Sequence, residues 1–143
     1  MDYGCQYHGY LSDMTRTVVV GKATPKQKEV YRIEQQMVHD ALEHMRPGAT
    51  SSEVYEASAR VIRGGEYFPY HYNRIGHGIG MFVHEAPFLG PMYDYVLQEG
   101  NVVTVEPGIY IPGWGGIRIE DQVLITADGH ENLISATKEL IEL

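Results

Sequence analysis

Four acidic residues and one histidine carry the chemistry this sequence could do. Asp2 and Asp13 stand on neighbouring strands of an opening hairpin, and His77 lies within Gly76-His77-Gly78-Ile79-Gly80, whose glycines leave the imidazole open to approach. Glu106 closes the apolar run Val102–Val105, and Glu120 closes Ile117-Arg118-Ile119. A carboxylate in a β-branched, buried strand is costly unless it is paired or bound to a metal. The sequence offers no four buried Lys or Arg to pair these four. Four carboxylates carry about −4 and two divalent cations supply about +4, so the cluster becomes neutral with two metals bound. Carboxylates with a single imidazole suit Mn²⁺, Co²⁺ or Zn²⁺ rather than thiolate-seeking ions. Two such ions roughly 3.5–4 Å apart share a water, lower its pKa and hold a carbonyl oxygen as it becomes an oxyanion. Taken singly, each residue has a plainer reading. An Asp in a hairpin is a turn residue, Gly-His-Gly is a loop, Glu-Pro-Gly is a turn, and Arg118–Asp121 is an alternating strand with a solvated face. Their joint occurrence carries the chemical reading.

The elements that must position these groups are legible in the pattern. Tyr3, Tyr7 and Tyr10 with Gly4 and Gly9 predict a hairpin, and Thr15–Val20 a β-branched strand ending at Gly21. Thr24, Pro25 and Gln27 predict a capped helix start, and Val30, Ile33, Met37, Ala41 and Met45 form its apolar stripe until Arg46-Pro47-Gly48. Thr50 with Glu53 opens a second helix, striped by Val54, Ala57, Val61 and Ile62 and closed by Gly64-Gly65. Short strands follow at Asn101–Val105, Gly108–Ile111, Ile117–Glu120, Gln122–Thr126 and Asn132–Ser135, with a helical tail at Lys138–Leu143. The order predicts an α+β fold, helices packed on one face of a mainly antiparallel sheet.

The 143 residues are 43% hydrophobic and 21% charged, the balance of one globular domain. Eleven Lys and Arg against nineteen Asp and Glu give a net charge of −8, which argues against a nucleic-acid partner bound by phosphate neutralisation. Cys5 is the single cysteine, so an internal disulfide is excluded and a reducing, cytoplasmic setting expected. No apolar run approaches the roughly 20 residues of a membrane span, so no membrane partner is expected. Cys5 reads as a small buried thiol, His39 and His44 as surface residues, and His8 and His130 as turn residues. Tyr67, Tyr70 and Tyr72 read as packing; Trp114 either lines the substrate pocket or caps the sheet.

Read together, the stretches Asp2-Tyr3-Gly4, Gly9–Thr17, Gly76–Gly80 with Val83-His84-Glu85-Ala86-Pro87, Glu99–Tyr110 and Gly116–Asp121 resemble the pita-bread metallopeptidases. That family includes methionine aminopeptidase, aminopeptidase P and Xaa-Pro dipeptidase (prolidase). The resemblance implies the pita-bread fold, a curved antiparallel sheet with helices on its outer face, and metal ligands Asp2, Asp13, His77, Glu106 and Glu120. Asp13 and Glu120 would bridge two ions, Mn²⁺ or Co²⁺ with Zn²⁺ the further choice. His84 would contact substrate and steady the tetrahedral intermediate, Glu106 would act as general base, and Arg118 would orient carboxylates from outside the ligand set. Arg-Ile-Glu-Asp points to the prolidase and aminopeptidase P branch. The implied reaction is hydrolysis of an N-terminal Xaa-Pro bond by a metal-bridging hydroxide, with a small peptide carrying proline second as partner and a homodimer as the full-length family's assembly. Asn73 stands where this branch carries a histidine four residues before His77, with His71 two residues further back. That departure keeps open a same-fold hydrolase or lyase of a small non-peptide substrate. A non-catalytic pita-bread binding module is the third reading. The resemblance also implies that residues 1–143 are the C-terminal portion of a catalytic domain without its first βα half, leaving a sheet edge prone to self-association.

Overall fold

A computed structural model describes all 143 residues. The chain opens with β1 (Asp2–Tyr3), β2 (Gln6–Tyr7), β3 (Tyr10–Leu11), β4 (Met14–Thr15) and β5 (Val18–Val19). β2 and β3 form a hairpin nested inside the antiparallel pair of β1 and β4. The expected strand from Thr15 to Val20 is broken at Arg16, whose side chain turns inward to Asp121.

Helix α1 (Pro25–Leu42) starts as its sequence dictates: Thr24 and Gln27 cap each other reciprocally, with Pro25 in the first turn. It ends before Met45, but Met45 stays buried one turn further on. Helix α2 (Ser51–Ile62) carries the same reciprocal cap between Thr50 and Glu53. A short 3₁₀ turn, Phe68–Tyr70, leads to β6 (Gly76–Gly78) and β7 (Glu85–Leu89), two strands that periodicity alone did not reveal. Then come β8 (Val102–Val105), β9 (Gly108–Ile111), β10 (Gly115–Arg118), β11 (Asp121–Thr126), β12 (Gly129–Asn132) and β13 (Ile141–Glu142).

The main sheet has the order β12-β11-β8-β6-β7 and is antiparallel throughout. Beside it, β9 and β10 pair as a hairpin in which Gly116 faces Tyr110 and Gly108 faces Arg118. That pairing draws the strand expected at 117–120 back to 115–118 and leaves Ile119-Glu120 as a corner. The strand expected at Asn132–Ser135 instead occupies 129–132, because Ala127-Asp128 turns the chain straight back onto β11. The tail is a strand and not a helix: β13 runs parallel to β5, and Leu143 donates to Val19 O at 2.8 Å. Its extended backbone satisfies an edge that would otherwise be bare. No helix is long and apolar enough to cross a membrane.

Two cores hold the layers together. Val54, Tyr55 and Ala59 of α2 pack with Ile75, Leu89, Val103, Val105 and Val123 of the sheet side. Val30, Tyr31, Met37 and Val38 of α1 pack on Ile109, Ile117 and Ile119 of the β9–β10 hairpin. The burial stripe of α1 contains a foreign member. Glu34 is fully buried, and neither carboxylate oxygen has a hydrogen-bond partner. Burial raises its pKa well above the ordinary 4.5; the Ile119 amide and the Arg118 charge, short of hydrogen-bond geometry, pull it only partway back. A carboxyl whose folded pKa is raised favours the folded state below its ordinary pKa, and that contribution is lost as pH rises through the folded value. Glu34→Met is therefore expected to stabilise the protein by about 1–3 kcal/mol above the folded pKa, the usual cost of a buried unsatisfied group. The gain fades as pH falls toward the ordinary carboxylate range. Urea unfolding at pH 8 and pH 5 checks this; an equal or larger gain at pH 5 contradicts it.

Candidate metal centre

The strand that carries His77 is held too closely for any residue but glycine on either side of it. A Cβ on Gly76 would stand 2.1 Å from Thr104 O, and one on Gly78 would stand 2.3 Å from Ala86 O. The two glycines thus let β6 lie between β7 and β8, a different purpose from opening the imidazole to approach, since His77 is 1% exposed. Its backbone N–H donates to Thr104 Oγ1 at 3.1 Å, and its Nδ1 meets Gly78 O at 3.0 Å. That contact fixes the ring with Nε2 turned toward the acidic residues.

Those residues arrive from four directions. Glu106 follows β8 and bonds Ile75 O through its backbone N–H at 2.7 Å, which sets its Oε1 3.2 Å from His77 Nε2. Asp13 precedes β4; Gln122 Oε1 receives its amide at 3.0 Å, and its Oδ2 lies 3.9 Å from His77 Nε2. Glu120, at the corner between β10 and β11, is 1% exposed and accepts from Thr15 Oγ1 at 2.7 Å. Ligand atoms of Asp13, His77 and Glu120 all fall within 4.8 Å of one another. Asp2 stays at the rim, more exposed, paired with the Arg118 guanidinium. So the structure gathers Asp13, His77 and Glu120 tightly, with Glu106 on His77, and holds Asp2 through Arg118.

The electrostatics are those of a site short of positive charge. Burial and the nearby Glu106 raise Glu120 to about 7, against the pull of the Thr15 hydroxyl. Asp13 is raised by burial and then by Asp2 and Glu106. For His77 burial works downward, but the Glu106 hydrogen bond, the Gly78 carbonyl and the charges of Glu106 and Glu120 outweigh it and raise the pKa. Glu120 Oε1 is buried without any hydrogen-bond partner. An orphaned carboxylate oxygen beside an imidazole and further carboxylates is the donor set a hard or borderline divalent cation takes. The residues present fit such ions.

Around them lies a cavity of about 550 Å³, whose wall also includes Tyr72, Arg74, Val83, His84, Tyr110 and Arg118. The His84 ring stands 4.3 Å from that of His77. Arg118 donates to Thr15 Oγ1 from Nε and Nη2, to Tyr110 Oη at 3.1 Å and to Asp2, while its Nε lies 3.7 Å from Glu106 Oε2. Tyr110, Arg74 and Thr15 were not singled out from sequence. For Tyr110 a signal exists: its ring crosses Gly108 and Gly116, where a Cβ would come within 2.6 Å and 2.4 Å of it. Tyr72, expected to pack, is half exposed and lines the cavity. Trp114 is not in the wall of this cavity: it packs against the α1 core with Lys26 over its ring and lines a separate, smaller pocket with Tyr31 and Leu140. His71 cannot stand in for the histidine replaced by Asn73. Its Nε2 meets Tyr55 Oη at 2.9 Å and its Nδ1 meets Phe68 O at 2.6 Å, away from the cavity. Cys5 is exposed, His130 lies in β12 with its ring on Met45 O, and His44 is half-buried on Asp40 O; all three differ from expectation.

Residues 1–127 match the profile of metallopeptidase family M24. The chain belongs to that family. Among M24 relatives, the Xaa-Pro dipeptidase of Pyrococcus horikoshii is 44% identical over 141 residues, covering 99% of this chain and 40% of that protein. The Xaa-Pro dipeptidase of Lactobacillus delbrueckii subsp. lactis is 42% identical over 139 residues, covering 97% of this chain and 38% of that protein. The prolidase structure from Pyrococcus horikoshii superposes with a TM-score of 0.94 at 44% identity, over 98% of this chain and 40% of that one. The X-Pro aminopeptidase structure from Thermotoga maritima gives 0.95 at 35% identity, over 99% and 40%. The M24 fold, pita-bread with a mostly antiparallel sheet, is therefore the fold of this chain. It spans about 40% of the length of these relatives.

Proposed function

We propose that this M24 chain is the catalytic part of an Xaa-Pro peptidase, cleaving the bond between an N-terminal residue and proline. The observation that carries the reading is the convergence of Asp13, His77 and Glu120 within 4.8 Å, with Glu106 bonded to the same imidazole. Relatives named Xaa-Pro dipeptidase support the substrate class. Asp2, Asp13, His77, Glu106 and Glu120 would hold two divalent ions, Mn²⁺ or Co²⁺, with Zn²⁺ as the alternative. Such ions supply Lewis-acid polarisation of the scissile carbonyl and a hydroxide nucleophile at neutral pH.

The chain's own groups do the rest. Glu106 takes the proton of the attacking water and delivers it to the departing proline nitrogen. The His84 ring N–H donates to the carbonyl oxygen as it gains charge in the tetrahedral intermediate. Arg118, anchored on Thr15 and Tyr110, holds Asp2 and faces Glu106, keeping both carboxylates in place. Proline lacks an amide N–H and fixes its own φ, so a dedicated cavity is useful where general peptidases bind poorly. A reducing compartment accords with Cys5 as a free exposed thiol.

The direct test is hydrolysis of Ala-Pro against Ala-Ala with added Mn²⁺ or Co²⁺. Cleavage of Ala-Pro that a chelator abolishes and fresh metal restores is the expected result. A preparation that retains metal and cleaves neither dipeptide overturns the reading.

A further inference from the structure

One hydroxyl stands between Asp2 and Glu120, the two acids of the site that lie farthest apart in the sequence. Thr15 is 4% exposed, and its Oγ1 takes part in three hydrogen bonds. It accepts from Arg118 Nε at 3.1 Å and from Arg118 Nη2 at 3.0 Å, and it donates to Glu120 Oε2 at 2.7 Å. A threonine hydroxyl has one proton and two lone pairs. With both lone pairs taken by the guanidinium, the proton has one direction left, toward Glu120. The main chain repeats the link. The Glu120 amide donates to Thr15 O at 3.0 Å, and Arg16 Nη1 donates to the carbonyls of both residues. Across the β1–β4 pair Thr15 faces Asp2, whose carboxylate the same Arg118 guanidinium holds.

The hydroxyl has two effects that an apolar side chain of the same shape lacks. It fixes Glu120 by one oxygen and leaves the other, Oε1, which has no protein partner, to an incoming cation. Carboxylates that bind a metal are held in orientation by hydrogen bonds of this kind. The hydroxyl also occupies Arg118. That residue's Nε lies 3.7 Å from Glu106 Oε2, beyond hydrogen-bond reach, while its hydrogen is committed to Thr15. Released from Thr15, the guanidinium can close on Glu106 in a charge-assisted pair and compete with a cation for that carboxylate. We infer that Thr15 is a positioning residue of the metal centre: its hydroxyl holds Glu120 for an ion and keeps Arg118 off Glu106. The inference rests on the metal-binding part of the reading above and gives a neutral side chain a share in ion affinity.

Two comparisons isolate the hydroxyl. Thr15→Val replaces it with a methyl group at nearly constant shape, while Thr15→Ser and Thr15→Ala differ from each other by the hydroxyl alone. Titration calorimetry with Mn²⁺, and in parallel with Co²⁺, measures binding to the metal-free proteins, and circular dichroism checks that each is folded. Thr15→Val and Thr15→Ala are expected to bind about 10- to 100-fold more weakly than wild type, the usual effect of losing a partner of a metal ligand, whereas Thr15→Ser retains the wild-type affinity. A role in packing alone makes the opposite forecast: Val keeps the affinity, and Ser loses it together with Ala because both lack the buried methyl. That pattern overturns the inference, as does equal affinity in all four proteins, and either result leaves the metal centre standing. Should Thr15→Val fail to fold, the Ser and Ala variants decide alone. A wild-type chain that binds neither ion removes the metal centre and this inference with it.

Discussion

On the proposed peptidase reading, Glu106→Gln is expected to lower kcat for Ala-Pro by about 10²–10⁴-fold, the usual worth of a positioned general base, while the protein keeps its fold. The two side chains have the same shape, and the backbone bond from the Glu106 amide to Ile75 O does not depend on the side chain. What changes is the atom 3.2 Å from His77 Nε2. An amide can still sit there, but it accepts no proton from water and brings no negative charge to the cavity. Because Glu106 also stands among the proposed ligands, the variant is compared at an added-metal concentration that restores occupancy: a kcat that stays collapsed at equal metal content is the expected pattern. Equal rates for wild type and variant at equal metal content would remove Glu106 from the mechanism.

Arg16→Met is expected to cost about 3–5 kcal/mol, the range for removing one member of a buried ion pair. Arg16 binds Asp121 Oδ1 at 2.6 Å and also donates to the backbone carbonyls of Thr15, Glu120, Ala136 and Thr137. Asp121 is fully buried, and Asn132 and Lys138 approach its second oxygen at 2.6 and 2.5 Å. One side chain thus fastens β4, the Glu120 corner and the segment before β13 to each other. Without it the Asp121 charge is undercompensated and four carbonyls lose a donor. Urea unfolding reports the loss as a lower midpoint; a variant within 1 kcal/mol of wild type would contradict this account of the corner.

Much of the candidate site was readable because it is encoded by local rules. Both helix starts follow from reciprocal caps that need only four residues each, and Glu106 and Glu120 show themselves as acids at the ends of apolar runs. The clustering of Asp13, His77 and Glu120 is an outcome of strand pairing, and their sequence motifs anticipated it. What escaped was set by distant partners. β13 is a strand because β5 offers it an edge, although its residues alternate in no decisive way. Arg16 breaks a β-branched run for the sake of a carboxylate more than a hundred residues away. Arg74 lies over Phe88, which pairs with His77 across β6 and β7, and the Tyr72 amide is held by Gly108 O, more than thirty residues on. Glu34 sits in an apolar stripe where periodicity expects a hydrophobe, and only burial reveals the mismatch.

The tight threading of β6 divides the cavity wall into two kinds of surface for anyone who would redesign it. At Gly76 and Gly78 a single added carbon meets main-chain oxygen, which cannot swing aside as a side chain can. Random libraries that touch those positions would be populated by unfolded clones, and the His77 imidazole offers no freedom of placement. Tyr72 and Arg74 also line the cavity, from a segment whose Tyr72 amide bonds Gly108 O and whose Ile75 amide bonds Leu89 O, so substitutions confined to their side chains reshape the wall and leave those main-chain bonds in place.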